Sequence, residues 1–290
     1  MRVLILSGGG AGLFAYGGAY QALKERGWVP DVIAGTSAGA LAGALIACGR
    51  EDRIAHYAKT LSGDELWGMG GPKLTEAIGS FFRLRKTRGL VNPAKLHAII
   101  DGELHNAVYA HRFEAYAVDV LSGVTVIGFS EETDTNIVDY VKGSMALPLI
   151  FPPQPTTLRG GQSAELRDGG VTSNHPTLTA LVEHRQRAKR LEAGGAFEDW
   201  ECLILSALDP YDTKAIKPGI GGVMQEVGRV IATALHDQAR AARNRLENHG
   251  VPFKWVNLKT DIDLLGFTKK DALRVWTDGY HALQREGLWG

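Results

Sequence analysis

The chain has 290 residues, 32 Lys and Arg against 32 Asp and Glu, 44% hydrophobic residues and two cysteines. Balanced charge removes any electrostatic argument for nonspecific nucleic-acid binding or strong global attraction to an anionic membrane, so no nucleic-acid partner is expected. No apolar run approaches the roughly 20 residues that span a bilayer, and the length suits one large α/β domain with a substantial core, here expected to be a single domain over 1–290.

Val3 to Leu6 is a short apolar run that reads as a buried strand. The chain enters it at once, so no secretory leader is expected in front. Ser7-Gly8-Gly9-Gly10-Ala11-Gly12 follows, before a helical segment reaching about Glu25. Consecutive peptide N–H groups at the start of a helix can hold a developing negative oxygen, and Gly9 and Gly10 are the best donor candidates there. The competing reading is a dinucleotide site. Gly10 to Ala15 satisfies G-x-G-x-x-A after a strand, and Asp31 lies near the spacing of a ribose ligand. That acidic residue belongs at the end of the second strand, however, and Asp31 stands before it.

The second strand, Val32-Ile33-Ala34, runs into Gly35-Thr36-Ser37-Ala38-Gly39 and then a small-residue helix from Ala40 to Ala47. A strand turning sharply into a helix at G-x-S-x-G leaves its serine on a strained elbow, hydroxyl exposed and helix N-terminus behind it. Ser37 is the candidate nucleophile, with the N–H of Ala38 joining Gly9 and Gly10 as donor. An ordinary glycine-rich turn fits the same five letters, so the other elements must decide.

Helices are expected at 52–61, 73–82 and 93–100, and 64–112 is the candidate helical lid or cap. Within it Leu66, Trp67, Met69, Phe81, Phe82 and Leu84 mix with Arg83, Arg85, Lys86 and Arg88. The stretch 64–88 reads as a membrane face or, more simply, as an amphipathic helix packed on the sheet with a solvated basic end. Strands are expected at 115–118 and 124–128.

Arg167-Asp168-Gly169-Gly170-Val171 comes next, then Asn174-His175-Pro176 and a helix over 177–191 whose basic run 184–190 reads as a solvated face. Asp168, between a short strand and two glycines, can aim its carboxylate from a loop tip into a cleft; an isolated D-G-G would be only a turn. A strand at 202–206, a helix at 222–248, a strand at 254–258 and a helix at 268–285 complete the chain. Strand-helix alternation implies a mainly parallel sheet covered on both faces. Cys48 and Cys202 are far apart and make no zinc spacing, as expected of buried thiols in a reducing, cytoplasmic compartment.

The glycine-rich loop, G-x-S-x-G and D-G-G, in this order, resemble the three signatures of the patatin-like phospholipases. The segment Gly143 to Pro153, with its Ser, Pro and Phe-Pro-Pro, and the last helix from Thr268-Lys269-Lys270-Asp271 through Gly279-Tyr280 are similar to that family as well. The resemblance implies a three-layer α/β/α fold with a mainly parallel central sheet. It makes Ser37 the nucleophile, Asp168 its only side-chain partner, and Gly8, Gly9, Gly10, Ala11 and Ala38 the oxyanion hole, with Gly35, Gly39, Gly169 and Gly170 in supporting roles. It also implies hydrolysis of a phospholipid or other lipid ester through an acyl-serine, without metal or cofactor, in a cytoplasmic protein that touches membranes peripherally; the oligomeric state is left open. One departure stands out. Gly12 and Leu13 occupy positions where family members commonly carry a cation and then glycine.

His175 is the histidine whose position invites a three-residue machine. In ordinary α/β-hydrolases the nucleophile follows several strands and precedes Asp and then His, so an elbow at position 37 is too early. A dyad is the better-supported arrangement. Its aspartate, with a reference pKa of about 3.9, is a weak base and must lean on oxyanion donors and exclusion of water. The alternative from another class is a noncatalytic lipid- or dinucleotide-binding protein using the glycine-rich loop.

Overall fold

A computed structural model describes residues 1–10, 12–67, 88–133, 136–177, 200–207, 220–260 and 267–285. Ala11, the helix expected at 73–82, that expected at 177–191 beyond its first residue, the side chains of Met69, Phe81, Phe82, Arg83, Leu84, Arg85 and Lys86, and the basic run 184–190 lie outside them.

In chain order the elements are β1 (Arg2–Leu6), α1 (Gly12–Glu25), β2 (Val32–Thr36), α2 (Ala38–Ala47), α3 (Glu51–Thr60), the short α4 (Gly63–Trp67), α5 (Ala94–Leu104), β3 (Arg112–Asp119), β4 (Val124–Phe129), α6 (Ile137–Ser144), β5 (Gln154–Thr157), β6 (Ser163–Asp168), a 3₁₀ turn (Gly169–Val171), β7 (Glu201–Ser206), α7 (Ile220–Asn248), β8 (Phe253–Asn257) and α8 (Lys269–Arg285). The eight-stranded sheet has the order β5-β6-β3-β2-β1-β7-β8, with β4 also on β3. Strands β3, β2, β1, β7 and β8 are parallel, whereas β4 and β6 run antiparallel to β3 and β5 antiparallel to β6.

The parallel strands read as continuous apolar runs because both faces are covered. On one face Leu4 and Leu6 of β1 pack with side chains of α1, α2 and α3. On the other, Val3 and Ile5 pack with Cys202 and Ile204 of β7 and Leu246 of α7. These are the two outer layers of an α/β/α arrangement. Helices α1 and α8 cross at glycines: a Cβ on Gly18 would run into the carbonyl of Trp276, and one on Gly279 into that of Ala15. Thr268 opens α8 by donating from Oγ1 to Asp271 Oδ2 at 2.7 Å while accepting the Asp271 N–H at 3.2 Å.

Strand β5 and helix α6 were not expected from the sequence, whereas the short strand expected before the two glycines is β6. Strands β5 and β6 are polar, and β5, an edge strand with every second residue exposed, tolerates Pro155. Helix α6 spans only 8 residues and is capped by Asn136, whose Oδ1 accepts the Val138 N–H at 3.1 Å. Its Gly143 lies against Leu166, where a Cβ would collide.

Candidate functional site

The sheet itself brings Ser37 to Asp168. Along Glu114–Asp119, β3 pairs with β4; β2 pairs with Arg112–Tyr116 and β6 with Ala117–Asp119, so β2 and β6 share the other edge of β3. They approach from opposite directions. Thr36 is opposite Tyr116 and Asp168 is opposite the next residue, Ala117, so the two strand ends meet. The hydroxyl of Ser37 donates to Asp168 Oδ2 at 2.7 Å.

The elbow has the backbone that the motif requires. Ser37 adopts φ 54° and ψ −125°, a region that only a strongly determined surrounding holds for a residue with a side chain. A Cβ at Gly35 would strike the carbonyl of Gly39, and one at Gly39 the carbonyl of Leu6, so α2 starts this close to the sheet only with glycine at both positions. The Ser37 N–H donates to Ser144 Oγ at 2.8 Å, and Ser144 donates to the Tyr116 carbonyl at 2.6 Å.

Asp168 is 4% exposed. Its Oδ1 accepts the Gly170 N–H at 2.7 Å, and its own N–H donates to the Ala146 carbonyl at 3.1 Å. Burial pushes its pKa from 3.8 up to about 6 against the opposing pull of the Ser37 and Gly170 hydrogen bonds. The carboxylate is therefore a stronger base than a solvated one. Gly169 supports it sterically, since a Cβ there would meet the Tyr116 carbonyl.

His175 stands elsewhere. Its Nε2 lies 3.1 Å from Ser206 Oγ, its ring lies 4.6 Å from that of Trp255 at a tilt of 34°, and burial with the nearby His236 lowers its pKa to about 3. It is a neutral, packed imidazole that bonds to neither Ser37 nor Asp168.

In the glycine loop, the Gly8 N–H donates to the Asn174 carbonyl at 3.2 Å, which takes Gly8 out of the expected set of available donors. The N–H groups of Gly9, Gly10 and Ala38 meet no acceptor among the described residues, and all three residues line one cavity with Ser37 and Asp168. Gly10 has φ 47°, the left-handed conformation that glycine enters freely. The Gly12 N–H donates to the Gly9 carbonyl at 2.7 Å and the Leu13 N–H to that of Gly10 at 3.4 Å. A Cβ at Gly12 would press on Ala207, and Leu13 lines the cavity, so the unusual pair is accommodated by packing.

The geometry opposes a dinucleotide. The Asp31 N–H donates to the Arg2 carbonyl at 2.8 Å and its carboxylate accepts the Arg2 N–H at 2.7 Å. Both residues stand at the N-terminal ends of their strands, and at roughly 3.3 Å of rise per residue a strand's length separates them from the glycine loop. Among the described residues no cluster of His, Cys, Asp and Glu forms a ligand set for a metal ion.

The cavity holds about 450 Å³. Phe14, Leu41, Leu66, Leu96, Phe151 and Phe267 are among its walls, and its polar side chains among the described residues are Ser37, Asp168, Asn174 and Gln238. Sequence reasoning missed Gln238. From α7 its Nε2 donates to the Gly170 and Val171 carbonyls at 3.0 and 3.2 Å, and its Oε1 accepts the Asn174 N–H at 2.7 Å, clamping the loop after Asp168. No local motif marks a glutamine on a helix as the partner of a loop so distant in sequence.

Among curated proteins, the chain is 30% identical over 177 residues to an uncharacterized NTE family protein of Mycobacterium tuberculosis, a match covering 60% of this chain and 43% of that protein. It is 29% identical over 230 residues to the patatin-like phospholipase domain-containing protein 7 of Mus musculus, covering 73% of this chain and 16% of that one. The chain thus spans less than half of these relatives. Among solved structures it is similar to VipD from Legionella pneumophila, with 15% identity and a TM-score of 0.49 over 98% of this chain and 66% of that one. The patatin-like phospholipase profile matches residues 4–181, from within β1 past the loop that follows Asp168. With more than half of its length under that profile, the chain belongs to the patatin-like phospholipase family.

Proposed function

We propose that the protein is a serine acyl hydrolase that cleaves a carboxylic ester of a phospholipid or related lipid. The observation that carries this reading is the 2.7 Å bond from Ser37 Oγ to a buried Asp168 with its pKa raised to about 6, at the wall of an apolar cavity. Ser37 Oγ attacks the ester carbonyl carbon while its proton passes to Asp168. The N–H groups of Gly9, Gly10 and Ala38 receive the oxyanion, each such donor being worth roughly 100- to 1000-fold in rate. The C–O bond to the alcohol breaks, and the departing oxygen takes the proton from Asp168. Water then attacks the acyl-serine, gives its proton to Asp168, and the acid leaves as Ser37 regains that proton. No step calls for a metal or cofactor.

An acyl chain suits the cavity, whose apolar walls gain by excluding water. Leu66 and Leu96 are among those walls, which supports assigning 64–112 as a cap of one catalytic domain. No helix among the described residues is long and apolar enough to cross a membrane. Contact with lipid is proposed to be peripheral and the setting cytoplasmic, a reading supported by two free cysteines. The test is labelling by a fluorophosphonate together with fatty-acid release from mixed phospholipid. Both should vanish in Ser37→Ala. A protein that binds lipid but neither labels nor hydrolyses would be a noncatalytic binder.

A further inference from the structure

The side chain of Ser7, between β1 and the glycine loop, is fully buried, and the chemistry above leaves it without a role. Its Oγ donates to the Gly8 carbonyl at 2.9 Å, accepts the Ala207 N–H at 3.0 Å, and lies 2.9 Å from the hydroxyl of Tyr16. Tyr16, also fully buried, donates to the Ser7 carbonyl at 2.7 Å. Beneath the loop, then, is a closed polar cluster whose hydroxyls both bond to loop backbone.

A trans peptide is planar, with its C=O and N–H pointing in opposite directions. No peptide among the described residues is cis. Fixing the Gly8 carbonyl against Ser7 Oγ therefore fixes the direction of the Gly9 N–H on the other side of the same plane. The next peptide is fixed likewise, because the Gly9 carbonyl accepts the Gly12 N–H at 2.7 Å and turns the Gly10 N–H away from it. A glycine loop has no side chains of its own to settle these directions, and free rotation of either peptide would lose a preorganised donor.

We propose that Ser7, seated by Tyr16, is a positioning residue for the oxyanion site, its hydroxyl pinning the Gly8 carbonyl so that the Gly9 N–H faces the oxygen of the tetrahedral intermediate. This rests on the acyl-hydrolase reading. Two hydroxyl protons serve three short oxygen contacts in the cluster. Loss of the Tyr16 hydroxyl leaves the Ser7 proton free to stay on Gly8; loss of the Ser7 hydroxyl strands the Gly8 carbonyl.

The experiment compares wild type, Ser7→Ala, Tyr16→Phe and Ser37→Ala on a soluble ester and on phospholipid vesicles. It also measures binding of an alkyl boronic acid, whose tetrahedral adduct on Ser37 places a negative oxygen in the site, and of the fatty-acid product. Ser7→Ala should lower kcat by roughly ten- to a hundredfold, less than outright deletion of a donor. KM and product binding should hold, and boronate affinity should fall with kcat. Tyr16→Phe should fall in the same pattern by a smaller factor, and it serves as the test should Ser7→Ala not fold. Wild-type kcat in folded Ser7→Ala, or a loss of kcat with unchanged boronate affinity, would overturn the positioning role and leave the dyad standing. Full hydrolysis by Ser37→Ala would instead overturn Ser37 as the nucleophile, and no hydrolysis by wild type would overturn the hydrolase reading beneath it.

Discussion

Ser37 and Asp168 stand 131 residues apart in the chain, with Oγ to Oδ2 at 2.7 Å, because their strands end against consecutive residues of β3. The pairing register, rather than a mobile loop, sets the spacing of nucleophile and base. Replacing the base while keeping its shape should therefore remove chemistry and leave the fold. Asp168→Asn is expected to lower ester hydrolysis by at least about 100-fold, the lower end of general-base contributions. His175→Ala should reduce stability far more than rate, since His175 packs on Trp255 and touches neither dyad member. Steady-state kinetics on the folded variants, with circular dichroism as control, decide the assignment.

The pH dependence follows from the same carboxyl. Activity needs Asp168 ionised, so kcat/KM should fall as pH drops through about 6, with a slope of one proton. For stability the sign is opposite. The folded pKa lies above the unfolded value, so the native state binds the proton more tightly, and the associated stability is present in acid and lost as pH rises through about 6. Holding the anion at neutral pH costs on the order of 2–3 kcal/mol. Asp168→Asn should accordingly melt higher than wild type above about pH 6, and the gap should close toward about pH 4. An equal Tm difference at every pH would show that the carboxylate is not strained by burial.

One substitution, Gly to Ala, should act with opposite signs at two helices. At Gly39 the new Cβ meets the carbonyls of Leu6 and Ser7, so α2 must move off the elbow. Overpacking of this kind costs roughly 1–3 kcal/mol, and hydrolysis should be lost with it. At Gly102, an exposed position inside α5, a Cβ meets nothing within 4 Å. Gly102→Ala should raise stability by roughly 0.4–1 kcal/mol and leave hydrolysis unchanged. Chemical denaturation of both variants reads the two signs.

The elbow and the D-G-G turn were legible because each is a local backbone demand written in glycine. Gly35 and Gly39 relieve collisions with main-chain atoms only a few residues away or on the adjoining strand. What escaped notice depends on distant neighbours. The short strand before Asp168 was readable, but not its antiparallel seat on β3, which extends past β2 and offers a free edge, nor the edge strand β5 beside it. Gln238 works from a helix remote in sequence, and the Gly8 N–H is claimed by a carbonyl of Asn174 that no local pattern announces. The same holds for electrostatics: a reference value marks Asp168 as a weak base, and only its burial in the fold raises it. His175 was tempting by position, and its partners Ser206 and Trp255 show a packing role.

The mouth of the cavity carries apolar side chains held toward water. Leu149 is 57% exposed and Val171 53% exposed, and both line the cavity. Leu149 also adopts φ 70°, costly for a bulky side chain, while its carbonyl accepts the Leu90 N–H at 2.9 Å. Two apolar side chains held toward water beside an apolar cavity fit contact with acyl chains at a lipid surface. Asparagine tolerates the left-handed backbone, so Leu149→Asn with Val171→Thr should keep or raise Tm. Hydrolysis of vesicles should fall by a larger factor than hydrolysis of a short, soluble p-nitrophenyl ester. Equal loss on both substrates would confine these residues to the acyl site and remove the surface contact. Of the basic cluster expected around 83–88, Arg88 is the described member, and its guanidinium is paired with Glu165 at 2.6 Å. Vesicle binding that collapses as salt shortens the Debye length from about 10 Å at 0.1 M to about 3 Å at 1 M would shift the contact from this apolar rim to charge.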